Sequence, residues 1–271
     1  MRVRAFLSFV GAVALAAAVV TAPRALADDR VVGGGDATRV YTFMASIQFE
    51  DGTHHCGGTL VGGRWVLTAS HCLDRMTADG LRVRVGSKDR TQGGVLTKVE
   101  RFTHHGSQDV AMVKPADEVK SGQLNVVRVP ATGATVRLLG WGSRCDGGCG
   151  DRCPATLQQL DSTVVKADTC KNCSIDTSSE FCVQREAKDG GACERDNGGP
   201  AIENPDGQYW RLDGVLSRGA NPCKPGPDVY VKVGSVIDWV RKQIFSSAAH
   251  AGPATGQWPD GVRWPSATPA R

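Results

Sequence analysis

Residues 190–200 read Gly190-Gly191-Ala192-Cys193-Glu194-Arg195-Asp196-Asn197-Gly198-Gly199-Pro200. Two glycine pairs bracket this loop, with Asp196 and Asn197 near its centre. A carboxamide has no proton worth abstracting and its nitrogen lone pair is delocalised. Asn197 can therefore take part in hydrogen bonds but cannot attack a carbonyl.

Outward from this loop, several segments alternate apolar and polar residues at period two, which is the pattern of a half-buried strand. They include Leu81-Arg82-Val83-Arg84-Val85, then residues 97–100, and later residues 209–215. Gly62-Gly63, Gly93-Gly94, Asp146-Gly147-Gly148 and Asp206-Gly207 supply turns between them. Many short strands joined by glycine-bearing turns point to an all-β sandwich or barrels. One helix is expected near the end, where Ser235 can cap the free N–H groups and Ile237, Val240 and Ile244 fall on one face; it should run to about Phe245.

The first 27 residues carry Arg2 and Arg4, an apolar stretch to Val20 and the small-residue exit Ala25-Leu26-Ala27. This is the pattern of a secretory leader cut after Ala27. A membrane anchor fits less well, because the apolar run falls short of the ~20 residues of a span and Pro23 and Arg24 interrupt its exit. The expected location is secreted and extracellular. Without Arg2, Arg4 and Arg24, the 32 basic residues fall to 29 against 28 acidic ones, so the exported chain is nearly neutral. Neither a nucleic-acid footprint nor a polybasic membrane patch is visible. The ten cysteines should be mostly or wholly oxidised outside the cell. Cys170 and Cys173 have half of a zinc spacing, but disulfide use is the better reading. No cofactor or metal is expected, since the stretch from Gly86 to Gly94 lacks the paired carboxylates of a calcium loop. Residues 246–271, rich in Ala, Pro and Gly, read as a mostly disordered tail. The alternative is a docking peptide, because Trp258 and Trp264 each precede a proline.

Thr68-Ala69-Ser70-His71-Cys72 follows the strand-like Arg64-Trp65-Val66-Leu67, and Asp109 stands before Val110-Ala111-Met112-Val113. With the loop at Asn197 they give the chain order histidine, aspartate, nucleophile position. In order and local wording the chain resembles the chymotrypsin family of secreted serine proteases, the bacterial trypsin-like branch in particular. Val31-Val32-Gly33-Gly34, Cys56-Gly57-Gly58-Thr59-Leu60 and Gly140-Trp141-Gly142 extend the likeness over about residues 31–245.

The resemblance implies two antiparallel six-stranded β-barrels and a C-terminal helix. Barrel 1 would span about 31–127, barrel 2 about 128–232 and the helix about 235–245. It makes His71 the base and Asp109 the carboxylate that holds its tautomer, while Asn197 stands in place of the serine. The oxyanion hole would use the N–H groups of Arg195 and Asn197, with arginine where the family has glycine; the peptide could be turned or the approach blocked. His54, His55, His104, His105 and His250 have no such context and read as surface-loop histidines. Gly191, Ser217, Arg218, Gly219 and Asp228 would line the substrate pocket, and Asp228 could receive a lysine or arginine. Arg218 could instead cover the pocket by pairing with Asp228, and Asp228 could be a solvated turn residue. Cleavage after Arg30 by a processing protease would remove residues 28–30 and free Val31 to pair with Asp196. Disulfides would join Cys56 to Cys72, Cys170 to Cys182 and Cys193 to Cys223. Cys145, Cys149, Cys153 and Cys173 then allow three connectivities.

The reading that follows is an inactive protease homologue, a secreted monomer whose cleft binds a protein or peptide ligand. A working endopeptidase preferring Lys and Arg, and a regulatory or decoy protein acting through its tail, are the alternatives.

Overall fold

The computed structural model describes residues 34–62, 64–120, 122, 124–126, 129–143, 153–184, 192–204, 207, 209–219 and 226–248. The leader, the Arg30-Val31 bond, Cys145, Cys149, Gly191, Cys223, His250 and the tail from residue 249 lie outside the described residues.

The strands are β1 (Gly35–Asp36), β2 (Met44–Phe49), β3 (His54–Val61), β4 (Trp65–Thr68), β5 (Leu81–Val85), β6 (Val95–His104) and β7 (Ala111–Pro115). Then come β8 (Asn125–Val126), β9 (Thr135–Gly140), β10 (Gln158–Val165), β11 (Glu180–Val183), β12 (Pro200–Glu203), β13 (Arg211–Arg218) and β14 (Asp228–Lys232), followed by the helix α1 (Ile237–Ala248). The first barrel closes in the order β2-β3-β4-β7-β6-β5. In β5 the alternation is realised directly: Leu81, Val83 and Val85 are buried while Arg82 and Arg84 are half-buried.

The second barrel runs β9-β10-β11-β14-β13-β12 and closes through pairing of β9 with β10 and β12. Two short strands join its sheet from outside the ring: β1 pairs with β10, and β8 runs parallel to β13. The chain therefore has two closed six-stranded barrels and a C-terminal helix. A continuous core cluster joins them, running from Met44, Leu67 and Val113 through Leu212 and Val231 to Val240 and Ile244 of α1. A smaller one, with Val136, Phe181 and Tyr230, fills barrel 2.

Three boundaries differ from the sequence expectation. The helix continues to Ala248, past its expected end near Phe245, so residues 246–248 belong to α1 and not to the tail. The strand expected at 209–215 begins at Arg211 and continues to Arg218, with Tyr209 70% exposed before it. All six residues from Leu212 to Ser217 are buried. A strand covered on both faces has no period-two signal to read. Ser235 lies inside a 3-10 turn, Val233–Val236, that precedes α1, and its hydroxyl donates to the Lys232 carbonyl at 2.7 Å instead of capping the helix.

Candidate active site

His71 lies in a 3-10 turn, Ser70–Leu73, directly after β4, and the Cys56–Cys72 disulfide ties that turn to β3. Asp109 precedes β7, which pairs with β4. That pairing brings the two residues together across 38 positions of sequence: the His71 N–H donates to Asp109 Oδ1 at 2.9 Å and His71 Nδ1 meets Oδ2 at 2.8 Å. An ionised carboxylate can only accept, so Nδ1 carries the proton and a neutral ring keeps its lone pair at Nε2. Ser217 Oγ donates to the same Oδ2 at 2.7 Å.

The hydrogen bond to Asp109 raises the His71 pKa above its ordinary value, against the opposing effect of burial. Burial pushes Asp109 upward, but the hydrogen bonds from His71 and Ser217 outweigh it and hold the carboxyl below its ordinary value. In this geometry the ring can accept a proton at Nε2 while the Asp109 carboxylate holds its tautomer.

The loop before β12 is fixed by close backbone contacts. The Gly57 N–H donates to the Asn197 carbonyl at 2.8 Å. Gly198 has φ +78°, and a Cβ there would fall 2.1 Å from Thr68 Oγ1, so glycine is required on both counts. Asp196 is 6% exposed and accepts from the N–H groups of Gly142 at 2.7 Å and Cys193 at 2.9 Å. Its carboxylate fills the space that a side chain at Gly140 or Gly142 would need. Thus the Gly140-Trp141-Gly142 wording and Asp196 are parts of one arrangement. Val31, the expected partner of Asp196, lies outside the described residues.

Asn197, His71, Asp109, Ser217, Arg218 and Gly219 border an open cleft of about 420 Å³. Among the described residues, the His71 ring bonds to Asp109 and not to the Asn197 carboxamide. Arg195 has φ +72°, the left-handed region that glycine usually supplies. Its guanidinium donates to the His54 carbonyl at 3.0 Å, and His54 Nε2–H donates to the Arg195 carbonyl at 3.1 Å. The arginine side chain is thus drawn to β3, and Glu194, not Arg195, borders the cleft. Arginine here keeps a glycine-like φ, and its side chain is held against β3, away from the described border of the cleft.

His54 is the residue that sequence reasoning missed. It is 1% exposed, and burial pushes its pKa down to about 3. Ser46 Oγ donates to its Nδ1 at 2.8 Å and Gln48 donates to Ser46 at 2.9 Å. The surface-loop expectation also fails for His55, which lies in β3 and reaches the Cys72 carbonyl at 2.8 Å. His104 ends β6, with Nδ1 2.7 Å from Ser70 Oγ. His105 packs edge-on against Trp239.

The pocket expectations are revised in two places. Asp228 opens β14, is completely buried and accepts from the Ala192 N–H at 2.9 Å, so it is not a solvated turn residue. Arg218 pairs with both oxygens of Glu180, at 2.6 and 2.8 Å, and not with Asp228; it also donates to the carbonyls of Cys173 and Ser174. The bonds to Glu180 raise the Arg218 pKa further. Cys170 and Cys182 are joined, and Cys153 and Cys193 are also in disulfides. Cys173 is a free thiol, against the expectation of its pairing.

The trypsin family model matches residues 31–240. Among similar proteins, a trypsin of Sarcophaga bullata is 32% identical over 234 residues, covering 79% of this chain and 89% of that protein. Trypsin alpha of Drosophila erecta is 31% identical over 79% of this chain and 87% of its own length, and trypsin theta of the same organism is 32% identical over 79% and 86%. These relatives are insect trypsins and do not speak for the bacterial branch. With the barrels, the His71–Asp109 pair and the buried Asp196 in place, the matched span establishes that this chain belongs to the trypsin family of serine proteases.

Proposed function

We propose that this trypsin-family member does not cleave peptides and that its open cleft binds a protein or peptide outside the cell. The observation that carries the reading is Asn197, a carboxamide bordering the same cleft as His71, which the resemblance aligns with the family's nucleophile. His71 remains able to accept a proton at Nε2, yet no side chain at position 197 can give one up and form an acyl intermediate. In subtilisin, loss of the catalytic serine lowers turnover by about 10⁶.

The bordering residues suit a peptide. Ser217, Arg218 and Gly219 at the end of β13 form one wall, and the Glu180 pair holds the Arg218 guanidinium in place. Asp228 is kept as the candidate partner of a basic side chain by the resemblance alone, since its carboxylate is buried against the Ala192 N–H and the described residues bordering the cleft do not include it. Secretion is supported by the leader-like first 27 residues and by the disulfides.

The intact His71–Asp109–Ser217 chain favours one competing reading, an endopeptidase with a nucleophile other than residue 197. A fluorophosphonate probe and a panel of lysyl and arginyl peptide substrates separate the two on processed protein. The proposal expects no covalent labelling and no turnover, with peptide binding retained. Turnover that His71→Ala abolishes would overturn it.

A further inference from the structure

A second cleft, of about 430 Å³, opens on barrel 2 and is bordered by none of the residues of the His71 cleft. Its origin is in the strand register. β9 and β12 pair only at Ala201↔Leu138 and Ile202↔Arg137, whereas β9 stays paired to β10 as far as Thr163↔Thr135. A bulge in the β12–β13 ladder between Ala201 and Ile202 accompanies the separation. Beyond Ile202 the sheet splits, and Thr135, Arg137, Asp161, Glu203, Asn204 and Trp210 line the gap.

The walls are built before any ligand arrives. Arg137 donates to both oxygens of Asp161 at 2.6 Å and to the Tyr41 hydroxyl at 2.9 Å, and its guanidinium lies 5.1 Å from the Trp210 ring centroid. Tyr41 meets the same indole edge-on at 5.7 Å. Within this frame, Trp210 Nε1 and Asn204 Oδ1 are buried and have no hydrogen-bond partner among the described residues. An indole N–H and an amide oxygen left unmatched call for a ligand offering an acceptor and a donor. A peptide backbone supplies both.

The tail supplies such a backbone. Pro253, Pro259 and Pro265 recur every six residues, as do Trp258 and Trp264. A polyproline II helix has three residues per turn, so this spacing puts both tryptophans on one edge and the prolines on the next. Each proline removes an N–H and leaves carbonyls in excess, which is the acceptor surplus that a buried indole N–H needs. The 23 residues after Ala248 reach roughly 70 Å in that conformation, several times the ~17 Å radius of gyration of a domain this size. We infer that the split between β9 and β12 is the docking site of this chain's own residues 249–271, bound as a polyproline II helix with Trp258 or Trp264 in the cleft.

Hydrogen exchange on the full-length processed protein tests the docking. Amides of residues 254–266 are expected to exchange at least about tenfold more slowly than in the free peptide. Asn204→Ala should remove that protection, and so should the double change Trp258→Ala and Trp264→Ala, which should also speed exchange across residues 204–210. Both leave the barrel cores untouched, whereas Trp210→Ala could disturb the Tyr41 packing. Tail amides exchanging at free-peptide rates, or protection that survives these changes, would overturn the inference. Protection that vanishes on dilution would place the tail in a second copy's cleft and equally overturn it.

Discussion

Arg195 occupies a backbone region where a Cβ costs about 1–2 kcal/mol, and it is held there by a reciprocal pair of hydrogen bonds with His54. The carbonyl that His54 grips can only accept, which fixes the His54 tautomer and makes Ser46 the donor to its other nitrogen. Protonating His54 would destroy that arrangement. Its folded-state pKa is about 3 against an ordinary 6.5, so between these values the unfolded chain binds the proton and the native one does not. The His54 contribution to stability is complete above pH 6.5 and declines as pH falls toward 3, by up to about 1.4 kcal/mol per pH unit. His71 has the opposite sign: its raised pKa contributes stability that is present at low pH and lost as pH rises through the folded value. Urea unfolding of the wild type and His54→Gln from pH 4 to 7 checks the first statement, because the variant should show the shallower slope.

At the scale of elements, the site depends on loops that allow no added atoms. A Cβ at Gly142 would sit 2.3 Å from the Asp196 carboxyl carbon. Gly142→Ala should therefore destabilise the fold by about 1–3 kcal/mol, read by denaturant titration. Arg218→Leu should cost about 1–2 kcal/mol by leaving Glu180 with the Asp176 N–H but no cation, a figure reduced from that of a fully buried pair because Arg218 is partly exposed. These elements differ in how far the sequence disclosed them. β5 was legible because one face meets the core and the other solvent, and His71 and Asp109 because each stands in distinctive local wording. β13 was legible only in part, as 209–215, and its true start at Arg211 and extension to Arg218 were not, since it is covered on both sides. His54 was hidden because a single histidine in a strand carries no sign of its burial. The Arg218–Glu180 pair spans 38 residues and depends on barrel closure, which no local pattern records.

For the whole molecule, cysteine parity leads to a further prediction. Cys56, Cys72, Cys153, Cys170, Cys182 and Cys193 are in disulfides and Cys173 is not, while the chain has ten cysteines. Disulfides consume cysteines in pairs, so a monomer with a free Cys173 must carry a second thiol among Cys145, Cys149 and Cys223. Alkylation of the unreduced, denatured protein should label Cys173 and one of these, and a chain with no labelled cysteine would show all ten paired. On the proposed reading, His71 is the base, Asp109 the carboxylate that orients it, and Asn197 stands at the nucleophile position of the cleft they share. Asn197→Ser tests that reading most directly, measured as kcat/KM on an arginyl peptide beside the wild type. The expected result is no turnover for the wild type and turnover for the single change, with Arg195→Gly adding less than about tenfold, far below the 10² to 10³ typical of a lost oxyanion donor. Cleavage by the wild type, or a single change that stays inactive until Arg195→Gly is added, would contradict it.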